Sequence, residues 1–310
     1  IGLVMDALIL TNSLDGSSDL ISQILNKKKI NFIRWNIDLW SEYEIYISQN
    51  FFSITDPTGK TIELSPSLKV LWRKPITEYF SENKKVKISA DNKEFAKSQI
   101  KIILLSIMSL SRDNGTHFID PIDDIRLPKL KQLEIAKKYF DILPYEFSIL
   151  KKKETLKNSI TKPLGNSEVG KKILYASKLE QDKAFRPFPW FFQEGILEGQ
   201  DVTCVYIKGE VFFYFCEYKR SSSAIDWRIE INKKDAAKWN FVDNKHTRPI
   251  GKKVIKLMKE FKLNYGRLDF IEKNNTYYFL ECNGNGQFGW LDDFKKLPLH
   301  NKFVNAFLDQ

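Results

Sequence analysis

The stretch Gly266-Arg267-Leu268-Asp269-Phe270, followed by Phe279-Leu280-Glu281-Cys282-Asn283, decides the fold of this 310-residue chain. Hydrophobic and polar residues alternate over 265–271 and again over 277–281, which is the pattern of strands with one buried face. The polar tripeptide Asn274-Asn275-Thr276 separates the two segments. The sequence therefore predicts a closing β-hairpin.

Oxygen-bearing side chains gather at one end of this hairpin. Asp269, Glu281 and Asn283 offer the hard oxygen ligands that Mg²⁺ prefers when nucleotide phosphates complete its shell. An exposed polar face of the hairpin is the alternative interpretation. Leu268 and Phe270 favour the metal site, because carboxylates are seldom placed among hydrophobic residues without a partner.

The geometry of the hairpin decides whether the two carboxylates can share a metal ion. Residues directly opposite each other in an antiparallel pair lie on the same face, and Asp269 is opposite Glu281 only when the turn is centred on Asn275. A two-residue tip with unbroken pairing places the two carboxylates on opposite faces. We therefore expect a tip of odd length or a compensating β-bulge.

The composition is that of a folded globular protein. Hydrophobic residues make up 43% of the chain and aromatic residues 14%, while 14 glycines and 11 prolines are too few for a low-complexity polymer. Lys and Arg number 49 against 39 Asp and Glu, which gives a net charge of +10. This excess predicts an anionic partner: a nucleotide, a nucleic acid, an anionic membrane or an acidic peptide.

The cysteines, histidines and apolar runs exclude several classes of protein. Cys204, Cys216 and Cys282 are too few for a disulfide framework and have no CxxC spacing, and the histidines lie far apart, so a structural zinc site is not expected. Unpaired cysteines fit a reducing compartment, which predicts a cytoplasmic location. No stretch reaches the ~18 uninterrupted apolar residues of a membrane span, so we expect no membrane partner.

Periodicity divides the chain into parts. The first third shows a strand, a helix and a hairpin around Asp56-Pro57-Thr58-Gly59, followed by an amphipathic helix over 90–112, which together predict an α/β domain. A second helix is expected over 129–140. Short strands with an antiparallel pattern follow, and a helix over 249–261 precedes the closing hairpin.

Two upstream segments have residue types that can bind a nucleotide. Lys162, in Thr161-Lys162-Pro163-Leu164-Gly165, ends a strand before a glycine-containing loop that can close over phosphates. The extended segment Gln193-Glu194-Gly195-Ile196-Leu197 offers backbone groups that can read an adenine edge, and Asp201 can accept hydrogen bonds from ribose hydroxyls. Each segment alone is more typical of an ordinary strand and turn.

Taken in chain order, these segments resemble the ATP-grasp fold. The closing run from Gly266 to Trp290 is similar to that of the graspetide synthetases, the microviridin-type ligases that crosslink ribosomally made peptides, and residues 70–75, 129–133 and 226–228 also have counterparts there. The resemblance implies an α/β protein with an N-terminal α/β domain (1–120), a central ATP-grasp subdomain of helical and mixed elements (121–195) and a C-terminal antiparallel subdomain that carries the metal-binding hairpin (196–310).

The resemblance also implies a role for each candidate residue. The implied Mg²⁺ ligands are Asp269, Glu281 and Asn283, and the implied phosphate ligand of ATP is Lys162. The implied adenine contacts are Gln193, Glu194, Ile196 and Leu197, and the ribose contact is Asp201. Arg228 and Arg267 would face the γ-phosphate and the acyl phosphate that replaces it, which makes them the implied catalytic residues. For Arg228 the alternative is a salt bridge on the protein surface.

The implied reaction is ATP-dependent macrocyclisation of a ribosomally synthesised precursor peptide. An Asp or Glu side chain of the peptide takes the γ-phosphoryl group, and a Ser or Thr hydroxyl or a Lys amine captures the acyl phosphate as an ester or amide. This reaction needs no covalent nucleophile, and the chain shows no Ser–His–Asp or Cys–His pattern. The expected partner is an acidic precursor, leader plus core, which a +10 enzyme attracts. The resemblance also suggests a homodimer.

Two other functions are left open by the sequence. An ATP-grasp carboxylate–amine ligase that acts on a free amino acid or small molecule has the same nucleotide residues. A nucleic-acid-binding protein fits the positive charge and the Trp and Phe content, but the chain has no RNP, KH or zinc signature and mixes acidic residues among the basic ones. We therefore expect no nucleic-acid partner.

Overall fold

The computed structural model describes residues 6–49, 51–63, 65–75, 89–119, 127–148, 159–164, 168–169, 172–173, 176–178, 190–219, 238–243, 245–293 and 295–309. The chain forms two compact units. Unit 1 comprises Ile1–Asp123 with Gly284–Gln310, and unit 2 comprises Asp124–Asn283. The division into 1–120, 121–195 and 196–310 stays a prediction.

The elements are numbered in chain order. The strands are β1 (Asp6–Thr11), β2 (Asn31–Asn36), β3 (Glu44–Ser48), β4 (Phe51–Thr55), β5 (Thr61–Glu63), β6 (Lys69–Trp72), β7 (Tyr145–Ser148), β8 (Ser159–Thr161), β9 (Glu168–Val169), β10 (Lys172–Ile173), β11 (Ser177–Lys178), β12 (Trp190–Glu194), β13 (Gln200–Ile207), β14 (Glu210–Lys219), β15 (Trp239–Val242), β16 (Tyr265–Lys273) and β17 (Thr276–Asn283). The α-helices are α1 (Gly16–Lys27), α2 (Ala90–Asp113), α3 (Lys129–Ala136), α4 (Thr247–Phe261) and α5 (Leu299–Leu308). Within the described ranges, no helix is long and apolar enough to cross a membrane.

Unit 1 is built on a parallel sheet with the strand order β2-β1-β6. Residues 7–10, the centre of β1, form an uninterrupted hydrophobic run of fully buried side chains, as expected of a strand that is covered on both faces. Helix α2 contributes Ile100, Leu104 and Ile107 to the same hydrophobic core as this sheet, so the helix predicted over 90–112 is confirmed. Strands β3, β4 and β5 form an antiparallel meander.

Arg73, directly after β6, joins the two chain segments of unit 1. Its side chain is fully buried, its Nη1 donates to Asn285 Oδ1 at 2.7 Å, and its Nε lies 3.6 Å from the Asp15 carboxylate. The Asn285 amide in turn donates to the Arg73 carbonyl oxygen at 3.3 Å. A buried guanidinium requires partners of this kind, since an unpaired buried charge is strongly destabilising.

Unit 2 contains the antiparallel sheets that the sequence predicts. One sheet has the strand order β15-β14-β13-β16-β17, and another has the order β11-β8-β12-β7. Helix α4 packs on β13 and β14 and places Val254, Leu257 and Phe261 in the core. The sheet that contains β16 and β17 is therefore anchored on one face by a hydrophobic core, which leaves its other face for polar side chains.

Helix α3 is shorter than predicted. It ends at Ala136, whereas the apolar spacing predicted a helix to residue 140. Phe140 remains buried and packs against Phe270 with ring centroids 5.0 Å apart, so the apolar periodicity continues after the helix has ended. After Ala136 the chain continues in tight turns, in which the Tyr139 and Phe140 backbone N–H groups donate to the Ala136 carbonyl oxygen, and the Asp141 carbonyl oxygen then accepts a hydrogen bond from the Phe279 backbone N–H at 3.0 Å.

Candidate functional site

The hairpin of β16 and β17 carries the two predicted carboxylate ligands on one face. Its tip is a two-residue turn, Asn274 and Asn275, both left-handed with φ of 54° and 63°, as a type I′ turn requires. Between this tip and Asp269 the register shifts by one residue, so Leu280 is the extra residue of a β-bulge. Asp269 then lies directly opposite Glu281.

The bulge decides which face of the hairpin Glu281 occupies. If the register of the tip continued unbroken, Glu281 would be opposite Leu268, whose side chain is fully buried in the core. The extra residue turns Glu281 to the face of Asp269, with about 5 Å between the two Cβ atoms. Cys282 takes the place opposite Leu268 instead. The prediction of an odd tip or a compensating bulge is confirmed.

Asp269 is held by two neighbouring side chains. The Thr203 hydroxyl on β13 donates to Asp269 Oδ1 at 2.8 Å, and Arg267 Nη2 lies 3.1 Å from Asp269 Oδ2. Burial lowers the pKa of the Arg267 guanidinium, but the negative charge of Asp269, with smaller effects of Tyr265 and Glu281, raises that pKa above its ordinary value. Arg267 therefore stays charged beside both carboxylates.

Glu281 is paired with a lysine to which the sequence assigned no role. Lys129 Nζ lies 2.6 Å from Glu281 Oε2, and the two side chains are 12% and 36% exposed. Burial raises the pKa of Glu281, but the positive charges of Lys129, Lys162 and Arg267 outweigh it and hold the pKa at about 2, below the ordinary 4.5. The carboxylate is therefore ionised at every physiological pH.

Helix α3 places Lys129 beside the hairpin. Lys129 is its first residue, and on the next turn Gln132 accepts a hydrogen bond from the Cys282 backbone N–H at 2.8 Å. Lys129 Nζ also lies 3.5 Å from the Pro163 carbonyl oxygen. The resemblance over residues 129–133 was the only signal for these contacts in the sequence, since neither charge nor periodicity distinguishes Lys129 from the exposed Lys131.

Lys162 and Asn283 complete the predicted phosphate and metal set. The Lys162 backbone N–H donates to the Phe191 carbonyl oxygen at 3.3 Å, and its Nζ lies 5.9 Å from the centroid of the Phe191 ring. Its positive charge is among those that lower the pKa of Glu281. Asn283 is exposed and lies opposite Arg267 at the end of β17. Pro163, the residue after Lys162, lies near the hairpin, because its carbonyl oxygen is 3.5 Å from Lys129 Nζ, which pairs with Glu281.

Three of the predicted adenine contacts line one cavity of unit 2. The cavity has a volume of about 590 Å³, and its wall includes Glu194, Ile196 and Leu197 on one side and Lys273 and Tyr278 of the hairpin on the other. This volume lies within the range of small-molecule sites. The segment after β12 therefore has room for a nucleotide base.

Gln193 and Asp201 flank this segment. Gln193 is fully buried, and within the described part of the chain neither atom of its side-chain amide has a hydrogen-bond partner. An orphaned buried amide is costly unless a ligand satisfies it, which suits a residue beside a nucleotide base. Asp201 is 4% exposed and lies two residues before Thr203 on β13, so it shares the face of the sheet that carries Asp269.

Gly199 is closely packed against the hairpin, and nothing in the sequence indicated this contact. Gly199 has a φ of 134°, and a Cβ there would lie 2.7 Å from the Glu272 carbonyl oxygen. Only glycine fits this close approach of backbone to backbone. The segment between the two sheets of unit 2 is therefore closely packed against the hairpin at this residue.

The donor set fits Mg²⁺ when nucleotide oxygens are added. Asp269, Glu281 and Asn283 supply two carboxylates and an amide, whereas Mg²⁺ prefers six oxygens and commonly takes several from phosphates and water. Among the described residues, no group of three or more His, Cys, Asp or Glu side chains could hold a metal ion. Arg228, the other implied catalytic residue, lies outside the described residues.

No protein-family model and no curated protein matches the chain. Several solved structures match the chain. The macrocyclase MdnC of Microcystis aeruginosa MRC, bound with the precursor peptide MdnA, matches with a TM-score of 0.78 and 20% identity over 99% of this chain and 100% of that chain. A RiPP-associated ATP-grasp ligase of Chryseobacterium gregarium, in complex with ADP and a leader and core peptide, matches with a TM-score of 0.76 and 20% identity over 98% and 95%. The ATP-grasp ligase PsnB, complexed with a variant of its minimal precursor, Mg and ADP, matches with a TM-score of 0.72 and 13% identity over 99% and 98%. The chain has the ATP-grasp fold.

Proposed function

We propose that this chain is an ATP-dependent ligase that forms macrocycles in an acidic precursor peptide, with ATP as the phosphoryl donor and Mg²⁺ as the metal ion. The observation that carries the proposal is the bulged hairpin, which puts Asp269 and Glu281 face to face among three cationic side chains. Support comes from the shared fold, since the matching ligases hold precursor peptides, ADP and magnesium.

The nucleotide occupies unit 2 in this proposal. Adenine enters the cavity lined by Glu194, Ile196 and Leu197. Gln193, the residue before them in the chain, offers its buried amide to the base, and Asp201 accepts hydrogen bonds from the ribose. Lys162 binds the phosphates. The ligands of Mg²⁺ are Asp269, Glu281 and Asn283. When bound, the ion neutralises charge on the phosphates and orients the transferred group.

The chemistry has two steps. A carboxylate oxygen of the peptide attacks the γ-phosphorus of ATP, and the bond to the bridging oxygen breaks so that ADP leaves. Arg267, which stays charged beside Asp269, stabilises the negative charge that spreads over the phosphoryl oxygens, and we assign the same role to Arg228. A hydroxyl or amine of the same peptide then attacks the acyl carbon, loses its proton, and releases inorganic phosphate.

The partner and the location follow from charge and thiol chemistry. A net charge of +10 attracts an acidic peptide, leader plus core, and increases its rate of encounter. Cys204, Cys216 and Cys282 are all buried and form no disulfide, which agrees with a reducing cytoplasm. A homodimer also belongs to the proposal, and light scattering of the purified chain tests it.

An oxygen-isotope experiment tests the first step. A precursor whose Asp and Glu side chains carry ¹⁸O is incubated with ATP, Mg²⁺ and the protein, and the released phosphate is analysed by mass spectrometry. Attack of the carboxylate on the γ-phosphorus transfers one ¹⁸O atom to each phosphate. Label in AMP instead indicates adenylate chemistry, and phosphate that is unlabelled and depends on a free amino acid indicates the small-molecule ligase.

A further inference from the structure

Among the described residues, Lys129 forms the closest ion pair with a proposed metal ligand. Its Nζ lies 2.6 Å from Glu281 Oε2, and only 12% of its side chain is exposed. The same ammonium group lies 3.5 Å from the Pro163 carbonyl oxygen, so it is held from two sides. A cation in this position occupies the carboxylate that Mg²⁺ needs.

The charge around the hairpin favours binding of a metal–nucleotide complex over binding of the bare metal ion. Among the described groups that pair with Asp269 and Glu281 or lower the pKa of Glu281, the three cations Lys129, Lys162 and Arg267 outnumber the two carboxylates by one. A bare divalent cation enters such a site against this charge. A complex of the metal ion with a nucleotide is negative overall, so the same charge attracts it.

We propose that Lys129 is a positioning residue that acts as the counter-ion of Glu281 and makes metal binding depend on the nucleotide. The inference rests on the proposed function, because it requires a nucleotide in unit 2. In the absence of nucleotide, Lys129 holds Glu281 and keeps the metal ion out. Nucleotide binding offsets the positive charge, so that Glu281 exchanges Lys129 for the metal ion.

Lys129 therefore adds to the coupling between nucleotide binding and metal binding. If nucleotide increases the affinity for metal by some factor, metal increases the affinity for nucleotide by the same factor, since coupling is reciprocal. Removal of the Lys129 charge frees Glu281 in the empty protein. It consequently raises the affinity for metal alone and reduces the coupling factor.

Binding of Mn²⁺ to the full chain, followed by electron paramagnetic resonance with and without ADP, tests this inference. The wild-type protein is expected to bind Mn²⁺ weakly alone and more tightly with ADP. In Lys129→Met the affinity for Mn²⁺ alone should rise about tenfold, and the ratio of the affinities with and without ADP should fall by about the same factor. Lys131→Met is the matched control, because Lys131 is exposed on the same helix, and it should behave as the wild type.

The outcomes separate the inference from the proposed function. If Lys129→Met matches Lys131→Met while ADP and Mn²⁺ still bind, the inference is wrong and the proposed function stands. If the wild-type protein binds neither ADP nor Mn²⁺ with ADP, the proposed function fails, and the inference fails with it. Lys129→Arg, which keeps the charge, should retain the wild-type coupling. Circular dichroism checks folding, and Lys129→Gln replaces the Met variant with the same expectation if that variant does not fold.

Discussion

Replacing Glu281 by glutamine removes one carboxylate from the hairpin and leaves its shape almost unchanged. The pKa of Glu281 lies at about 2 against an ordinary 4.5, and this difference corresponds to about 3 kcal/mol of stability at neutral pH. The side chain is 36% exposed, so solvent screening reduces the contribution to about 1–2 kcal/mol. Glu281→Gln should therefore fold, with a free energy of unfolding lower by about that amount.

The free energy of unfolding that Glu281→Gln loses depends on pH in a defined direction. Because the pKa of Glu281 is depressed in the folded protein, its contribution is fully present above pH 4.5 and is lost as the pH falls towards 2. Urea unfolding of the wild type and Glu281→Gln should thus differ at pH 7, and the difference should shrink as the pH falls from about 4.5 to 2. A difference that stays constant over this range would refute the ion pair with Lys129.

Turnover separates the chemical role of Glu281 from its effect on stability. Release of ADP should fall about 100- to 1,000-fold in Glu281→Gln, because the variant loses a charged metal ligand. Asp269→Asn should show a loss of the same order for the same reason. If both variants turned over the precursor at wild-type rates, the metal assignment would be wrong.

The remaining predictions concern residues away from the two carboxylates. Arg228→Ala should lower kcat about 100-fold while the Kd for ADP, measured by calorimetry, changes little, because its proposed partner is the transferred phosphoryl group. Gly199→Ala should lower the free energy of unfolding by about 1–3 kcal/mol in urea titrations, since its φ of 134° and the close Glu272 carbonyl leave no room for a Cβ. Burial lowers the pKa of His300 below 6.5 in spite of the nearby Asp292, so the wild-type urea midpoint should fall between pH 7.5 and 5.5, and His300→Asn should show a smaller fall.

The site was predicted best where its residues are close in sequence. The sequence showed that Asp269 lies opposite Glu281 only if the turn is centred on Asn275 or a bulge shifts the register. The bulge at Leu280 supplies the required shift. Glu194, Ile196 and Leu197, which are predicted adenine contacts, are also neighbours in the chain, and the structure places all three in the wall of one cavity.

The partners that come from distant parts of the chain could not be predicted. Lys129 lies 152 residues before Glu281, and nothing in its own helix shows that its ammonium group reaches the hairpin. Nothing in the sequence of β13 marks Thr203 as a partner of Asp269, and only the strand register brings its hydroxyl to that carboxylate. The end of helix α3 was misplaced for a related reason, since Phe140 stays in the core after the helix has ended.

The most direct test of the account is the mass of the peptide product per ADP released. With ATP and Mg²⁺, an acidic precursor should become lighter by one water for each ring formed, and one ADP and one phosphate should appear each time. Capture within the same peptide is expected because the bound nucleophile has a high effective concentration compared with water. Mild base should then open ester rings and spare amide rings. ADP release with no loss of water from any acidic precursor would contradict macrocyclisation and indicate a ligase for small molecules.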